Sequence, residues 1–212
     1  MKWRWLVAFA AAWAALIRLG RTSGSTAEER NKRLPGDEVV LYPNLGGDHA
    51  ISIEAPPLRV WPWLVQMGWH RAGWYTYRWV DALMFPNNWP SAETILQEYQ
   101  DLKVGDVVPD GPMESGCFFV VEQMQAEHHL VLHSTTHLPP QLLKNPDVSL
   151  SWTWVFVIEP ENGGTRFHFR WRVAVSPLWL RLLGGLLILP ADFLMGRSMC
   201  KGLKRRAEAF GS

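Results

Sequence analysis

Proton-transfer chemistry has one compact set of candidates in this sequence: Tyr75, Tyr77 and Asp81, with Arg71 before them and Glu98 and Asp101 after. On a helix Tyr77 and Asp81 stand one turn apart, close enough for a phenol–carboxylate hydrogen bond. A phenol held in that way can give or take a proton. The same residues serve equally well to tie a helix and its loop down, so they are weak catalytic candidates. Four histidines, His128, His129, His133 and His137, raise the question of a metal. Their segment alternates as a strand, which puts His129 and His133 about 13 Å apart at roughly 3.3 Å per residue. Zinc ligands must instead converge to about 2.0–2.1 Å from the ion. No metal site follows, and no cofactor is implied. The sequence has no GxSxG, HExxH, P-loop or GxGxxG motif, and Cys117 and Cys200 make no CxxC pair.

Binding chemistry is written more clearly. In Thr165–Val175, Phe167, Phe169, Trp171, Val173 and Val175 alternate with Arg166, His168, Arg170 and Arg172. A period of two makes this a strand with one aromatic and one basic face. The basic face is expected to be a solvated outer surface. The aromatic face needs a dry partner. Trp152 and Trp154 from the preceding strand, and Met195 and Met199 from a C-terminal helix, are the expected companions of Phe167, Phe169 and Trp171. Together these seven form a candidate apolar ligand pocket, and thirteen tryptophans in the chain suit such walls.

The elements that must position them follow from periodicity and punctuation. Strands are expected at 49–54, 103–110, 118–125, 129–135, 150–159 and 165–175, the last two joined by a turn at Asn162-Gly163-Gly164. Helical patterns fall at Pro57–Met67, interrupted by Pro62, at Trp74–Met84, and in a short piece over Ala92–Glu98. Ala191–Phe210 gathers Phe193, Met195, Met199, Cys200, Leu203, Ala207 and Phe210 on one side, opposite Arg197, Lys201, Lys204 and Arg205. Pro190 marks its start, or a kink after the apolar stretch 178–189, which is expected to be buried or interfacial. The order predicts an α+β domain: helices on one side of a curved antiparallel sheet, closed by a long C-terminal helix.

With 212 residues, a formal net charge of +1 and 19% charged residues, the chain shows no charge imbalance that would suggest nucleic acid. At the N-terminus, Lys2 and Arg4 precede the apolar run 5–17, with Arg18 and Arg21 after it. Extended by Trp3 and Leu19 and with snorkelling arginines, it reaches about 25 Å. A membrane anchor is the preferred reading, against a cleaved signal peptide or a packed helix. The basic flank after it points to a cytoplasmic globular domain on a cytoplasmic-membrane anchor. Residues 1–21 are thus expected as the anchor, 22–33 as a polar linker with a Ser25/Glu28 capping box, and 34–210 as the domain.

Several blocks in order (IEAPPLRVWPWLVQMGWHRAGWYTY, ILQEYQDLKVGDVVPDGP, WTWVFVIEP, GGTRFHFRWR and MCKGLKRRAE) resemble bacterial SRPBCC proteins of the START-like, polyketide-cyclase and lipid-transport superfamily. The resemblance spans roughly Gly24–Glu208. It implies a helix-grip fold with a hydrophobic cavity between sheet and helix, and carries no catalytic residues over. The function so expected is a membrane-tethered domain holding a lipid, isoprenoid or polyketide-like molecule. The alternative is a cyclase, dehydratase or hydrolase using Tyr75, Tyr77 or Asp81, and a third reading is an interaction module with a filled core.

Overall fold

The computed structural model of the chain describes residues 2–209; Phe210, placed on the apolar side of the last helix and at the end of the expected domain, lies outside them. In chain order the elements are α1 (Lys2–Thr22), α2 (Ala27–Asn31), β1 (Leu45–Ile53), α3 (Pro57–Val65), α4 (Arg78–Met84), β2 (Val107–Pro109), β3 (Phe118–Gln125), β4 (His129–Ser134), α5 (Pro140–Leu143), β5 (Ser149–Glu161), β6 (Gly164–Ser176) and α6 (Leu178–Ala209). All six strands pair antiparallel in one curved sheet of order β1-β6-β5-β4-β3-β2. The α+β class expected from the element order is the one observed, and the curved sheet with its long C-terminal helix is consistent with the helix-grip fold that the resemblance implies.

The long β5–β6 hairpin is fixed by its turn. Asn162 and Gly163 both take positive φ, 49° and 82°, and a two-residue loop needs that to match strand twist. Register then sets Phe156 opposite Phe169 and Trp154 opposite Trp171, so all four rings share the inner face. α6 runs along this face as one helix through Pro190, rather than starting there. Two glycines allow its close approach. A Cβ on Gly196 would sit 2.7 Å from His49 Nε2, and one on Gly202 would overlap the Tyr75 carbonyl oxygen outright.

Three local expectations are corrected. The helical pattern from Trp74 begins only at Arg78, because Tyr75 takes φ 59° and its N–H donates to Ser91 Oγ at 3.0 Å. Around Ala92–Glu98 the helical turn is 3₁₀, at Gln97–Tyr99. The capping box is also one residue on. Thr26 accepts from the Glu29 N–H and Glu29 accepts from the Thr26 N–H.

The outer face of the sheet is not the solvated basic surface its pattern suggested. Residues 25–40, about half of them in the segment expected as a linker, lie across it. Arg170 is 1% exposed, bonded to Asp48 at 2.7 Å, Asp37 at 2.7 Å and the carbonyls of Glu29, Arg30 and Lys32. Arg166 pairs with Glu29 at 2.6 Å, and that bond holds the Glu29 carboxyl, against its burial, at about 2. Leu34 closes the layer by packing on Val131, Val155 and Val157.

Among the described residues two helices are long and apolar enough to cross a membrane: α1 and α6. α1 is exposed over most of its length and meets α6 most closely near its end, where a Cβ on Gly20 would overlap the Leu189 carbonyl oxygen. Gly20→Val is therefore expected to lever α1 off α6 and raise amide exchange in its last turns by about tenfold, with β5 and β6 unchanged. Equal exchange in the variant would show that the two helices do not need this contact.

Candidate functional site

At the end of the sheet where β1 begins, the inner face changes from rings to aliphatic side chains. Leu150 and Trp152 of β5, Val173 and Val175 of β6, and Leu45 of β1 face Leu180, Leu183, Leu187 and Ile188 of α6 across a cavity of about 180 Å³. Gly184 and Gly185 carry no side chain there, which lets Leu45 reach α6; a Cβ on them would lie 3.0 and 3.4 Å from its methyl carbons. His137 and Leu138, from the loop after β4, complete the wall. The volume is close to the ~150 Å³ of an enclosed apolar cavity that accepts a benzene-sized guest, but this one is open on one side.

His137 is the one ionisable group lining this cavity among the described residues, and its spacing in the sequence suggests only a metal context. Its Nδ1 is 2.7 Å from Ser134 Oγ and its Nε2 2.9 Å from Asp110 Oδ2. Burial pushes the Asp110 carboxyl up, while the His137 bond pulls it down less strongly. Both ring nitrogens are thus engaged by Ser134 and Asp110, and the imidazole packs at a tilt against Phe119 at 4.5 Å and edge-on to Trp152 at 5.1 Å. This arrangement holds a wall in place. It does not aim a nucleophile or base at a guest.

Of the seven residues expected to form the pocket, Trp152 lines this cavity. The other six are packed behind it. Trp154, Phe167, Phe169, Trp171, Met195 and Met199 are all at most 4% exposed. Phe156 stacks on Phe169 at 5.1 Å and on Phe167 at 6.1 Å, while Trp154 meets Phe169 edge-on at 5.4 Å. The Trp171 indole N–H donates to Asp192 at 2.8 Å, and the same carboxylate oxygen is 2.6 Å from His49 Nε2. These rings form a continuous aromatic core between sheet and helix.

Tyr75, Tyr77 and Asp81 do come together, in a polar cleft of about 640 Å³ between α4 and the far end of α6, with Glu93, Arg205 and Arg206. Their roles differ from the expected acid–base pair. The Tyr75 hydroxyl turns inward, donating to the Trp63 carbonyl at 2.8 Å and accepting from Gln66 at 2.9 Å, and burial raises its phenol. Asp81 accepts from the Thr76 hydroxyl, and burial pushes its carboxyl up. Arg206 lies 4.7 Å over the Tyr75 ring and pairs with Glu93, as does Arg205. The four histidines likewise disperse: His128 and His129 contact each other at 2.8 Å, and His133 bonds Ser151 at 2.9 Å.

No family model matches the sequence, and no curated protein matches it. Among solved structures the chain is similar in fold to protein MLL2253 from Mesorhizobium loti, at 14% identity over 79% of this chain and 100% of that one, with a TM-score of 0.42. It is also similar to TTHA0849 from Thermus thermophilus, at 16% identity over 79% and 100%, TM-score 0.39. A protein from Arthrobacter aurescens gives 16% identity over 76% and 87%, TM-score 0.43.

Proposed function

We propose that this chain is a START-like protein of the SRPBCC kind, tethered to the cytoplasmic membrane by α1 with its globular part in the cytoplasm, that holds a lipophilic small molecule. The observation that carries the reading is the apolar cavity between the β1 end of the sheet and the first half of α6. Its guest would be selected by shape: each CH₂ taken from water is worth about 0.8 kcal/mol, and the wall is aliphatic and aromatic apart from His137, whose ring nitrogens are bonded to Ser134 and Asp110. Trp152 is the wall ring, and Trp154, Phe167, Phe169, Trp171, Met195 and Met199 are the rigid backing. The volume admits one ring or the end of a chain, which favours a lipid or isoprenoid over a whole polyketide. The anchor reading is supported by Trp3, Trp5, Leu6 and Phe9, each at least 66% exposed on α1, and by Arg18 and Arg21 on its basic flank.

The test is native mass spectrometry of the full chain released from membranes of its own host. A lipophilic adduct is expected on the wild type. Leu150→Trp, which puts an indole into the cavity, is expected to reduce the adduct about tenfold. A wild type without adduct, or a folded Leu150→Trp variant with the adduct undiminished, would remove the reading.

A further inference from the structure

The cavity has a mouth, and its position is informative. Leu183 and Leu187 line the cavity yet are 46% and 51% exposed, so the opening lies on the outward side of α6. Around it α6 exposes Leu178, Trp179, Leu182 and Leu186, at 64%, 51%, 64% and 50%. α1 runs alongside. The Trp13 indole N–H donates to the Leu186 carbonyl at 3.1 Å, and Gly20 meets the backbone at Leu189. Moving forward along α1 from Trp13 to Gly20 thus moves forward along α6 from Leu186 to Leu189.

Contiguous large apolar side chains of this number are an interaction surface, not an ordinary exterior. Their chemistry fits one partner, the hydrocarbon of a lipid bilayer. Helix α1, 21 residues long, reaches about 30 Å, the thickness of a bilayer core. Tryptophans stand near the start of α1, at Trp3 and Trp5, where interfacial anchors belong. Arg181 is the single charge in residues 178–189, and it is exposed with a stem long enough to snorkel.

We propose that α1 and residues 178–188 form one membrane-embedded face, and that the cavity opens through it, between Leu183 and Leu187, to the acyl chains of bilayer phospholipids. This rests on the reading of the cavity as the ligand site and names the ligand's source. A chain end moving from bilayer to cavity passes between two apolar phases and never meets water. The cavity of about 180 Å³ takes only that end, and the rest of the lipid stays in the membrane.

The experiment uses the full chain in phosphatidylcholine–phosphatidylglycerol vesicles doped with a phospholipid carrying a diazirine at its acyl terminus. After irradiation, labelled peptides are mapped by mass spectrometry. Labels are expected on α1, on residues 178–188 and on the inner wall at Leu150–Trp152. The double substitution Leu183→Lys with Leu187→Lys, at two exposed positions, is expected to cut wall labelling about tenfold while α1 labelling persists. An unlabelled wall in the wild type, with the native adduct still present, overturns the membrane route and leaves the ligand reading standing. An unlabelled wall together with no adduct overturns both. Undiminished wall labelling in the double variant also overturns the route.

Discussion

Asp48→Ala is expected to destabilise the protein by about 3–5 kcal/mol, lowering Tm by on the order of 10 °C. Asp48 is 4% exposed and receives Arg170 at 2.7 Å, His168 at 2.9 Å and Arg172 at 3.0 Å. Deleting its carboxylate strands the Arg170 guanidinium, itself 1% exposed, beneath the 25–40 segment. Asp37 and three carbonyls remain around it, but they were arranged to share that charge with Asp48. The pH dependence has a definite sign. Burial alone pushes the Asp48 carboxyl up, yet the His168 bond and the Arg172 and Arg170 charges outweigh it and hold the group at about 2, against 3.8 when free. A depressed carboxylate stabilises the fold above its free value, and that stabilisation is lost as pH falls. About 2 kcal/mol should therefore disappear between roughly pH 4 and pH 2. Denaturant titrations across that range check it. An Asp48→Ala variant within about 0.5 kcal/mol of wild type, or one whose acid profile still matches wild type, would show that the outer-face cluster is not what fastens residues 25–40 to the sheet.

That cluster also marks where the sequence stops being legible. Period-two alternation in Thr165–Val175 says which side chains share a face, and the structure keeps that division. It says nothing about what covers a face. Residues 22–33 are polar and lack periodicity, so no pattern announces that their carbonyls cap Arg170 and their Glu29 meets Arg166. The failure at Trp74–Met84 has a different cause. Its apolar spacing is helical, but α6 passes so close at Gly202 that Tyr75 is held at positive φ with its carbonyl against the helix. Long-range packing there overrides local propensity. The hairpin, the order of elements along the chain, the apolar N-terminal helix and the C-terminal helix are all readable because each rests on local periodicity or turn chemistry, whereas the pairing of β1 with β6 joins distant segments and is not. The cavity is half readable. Large rings attract attention as pocket walls, yet in a close-packed interior large rings fill space. A void forms where rings give way to smaller groups. The change from Phe167, Phe169 and Trp171 to Val173 and Val175, together with Gly184-Gly185, is the available sign. Asp110, Ser134 and His137 come from separate loops and strands, and no spacing connects them.

Whether the aromatic stack is core or pocket can be decided by truncating its centre. Phe169 is fully buried between Phe156 and Trp154, with the His49 ring stacked on it at 5.7 Å. Phe169→Ala removes contacts on every side and leaves a hole whose neighbours, held by the β5–β6 register and by α6, have little freedom to collapse. Such truncations cost about 3–5 kcal/mol. The adduct carried by the cavity should meanwhile keep its mass, since Phe169 stands behind the wall. Trp152→Ala is the complementary change. It enlarges the cavity itself, and the expected signature is a shift of the bound population towards bulkier guests, whatever the cost in stability. A ring already bordering a hollow has fewer contacts to lose. If Phe169→Ala therefore cost less than about 1 kcal/mol and changed the mass of the adduct, the ligand would have to lie among the rings of the stack, and the cavity at Leu150 and Trp152 would be only its antechamber.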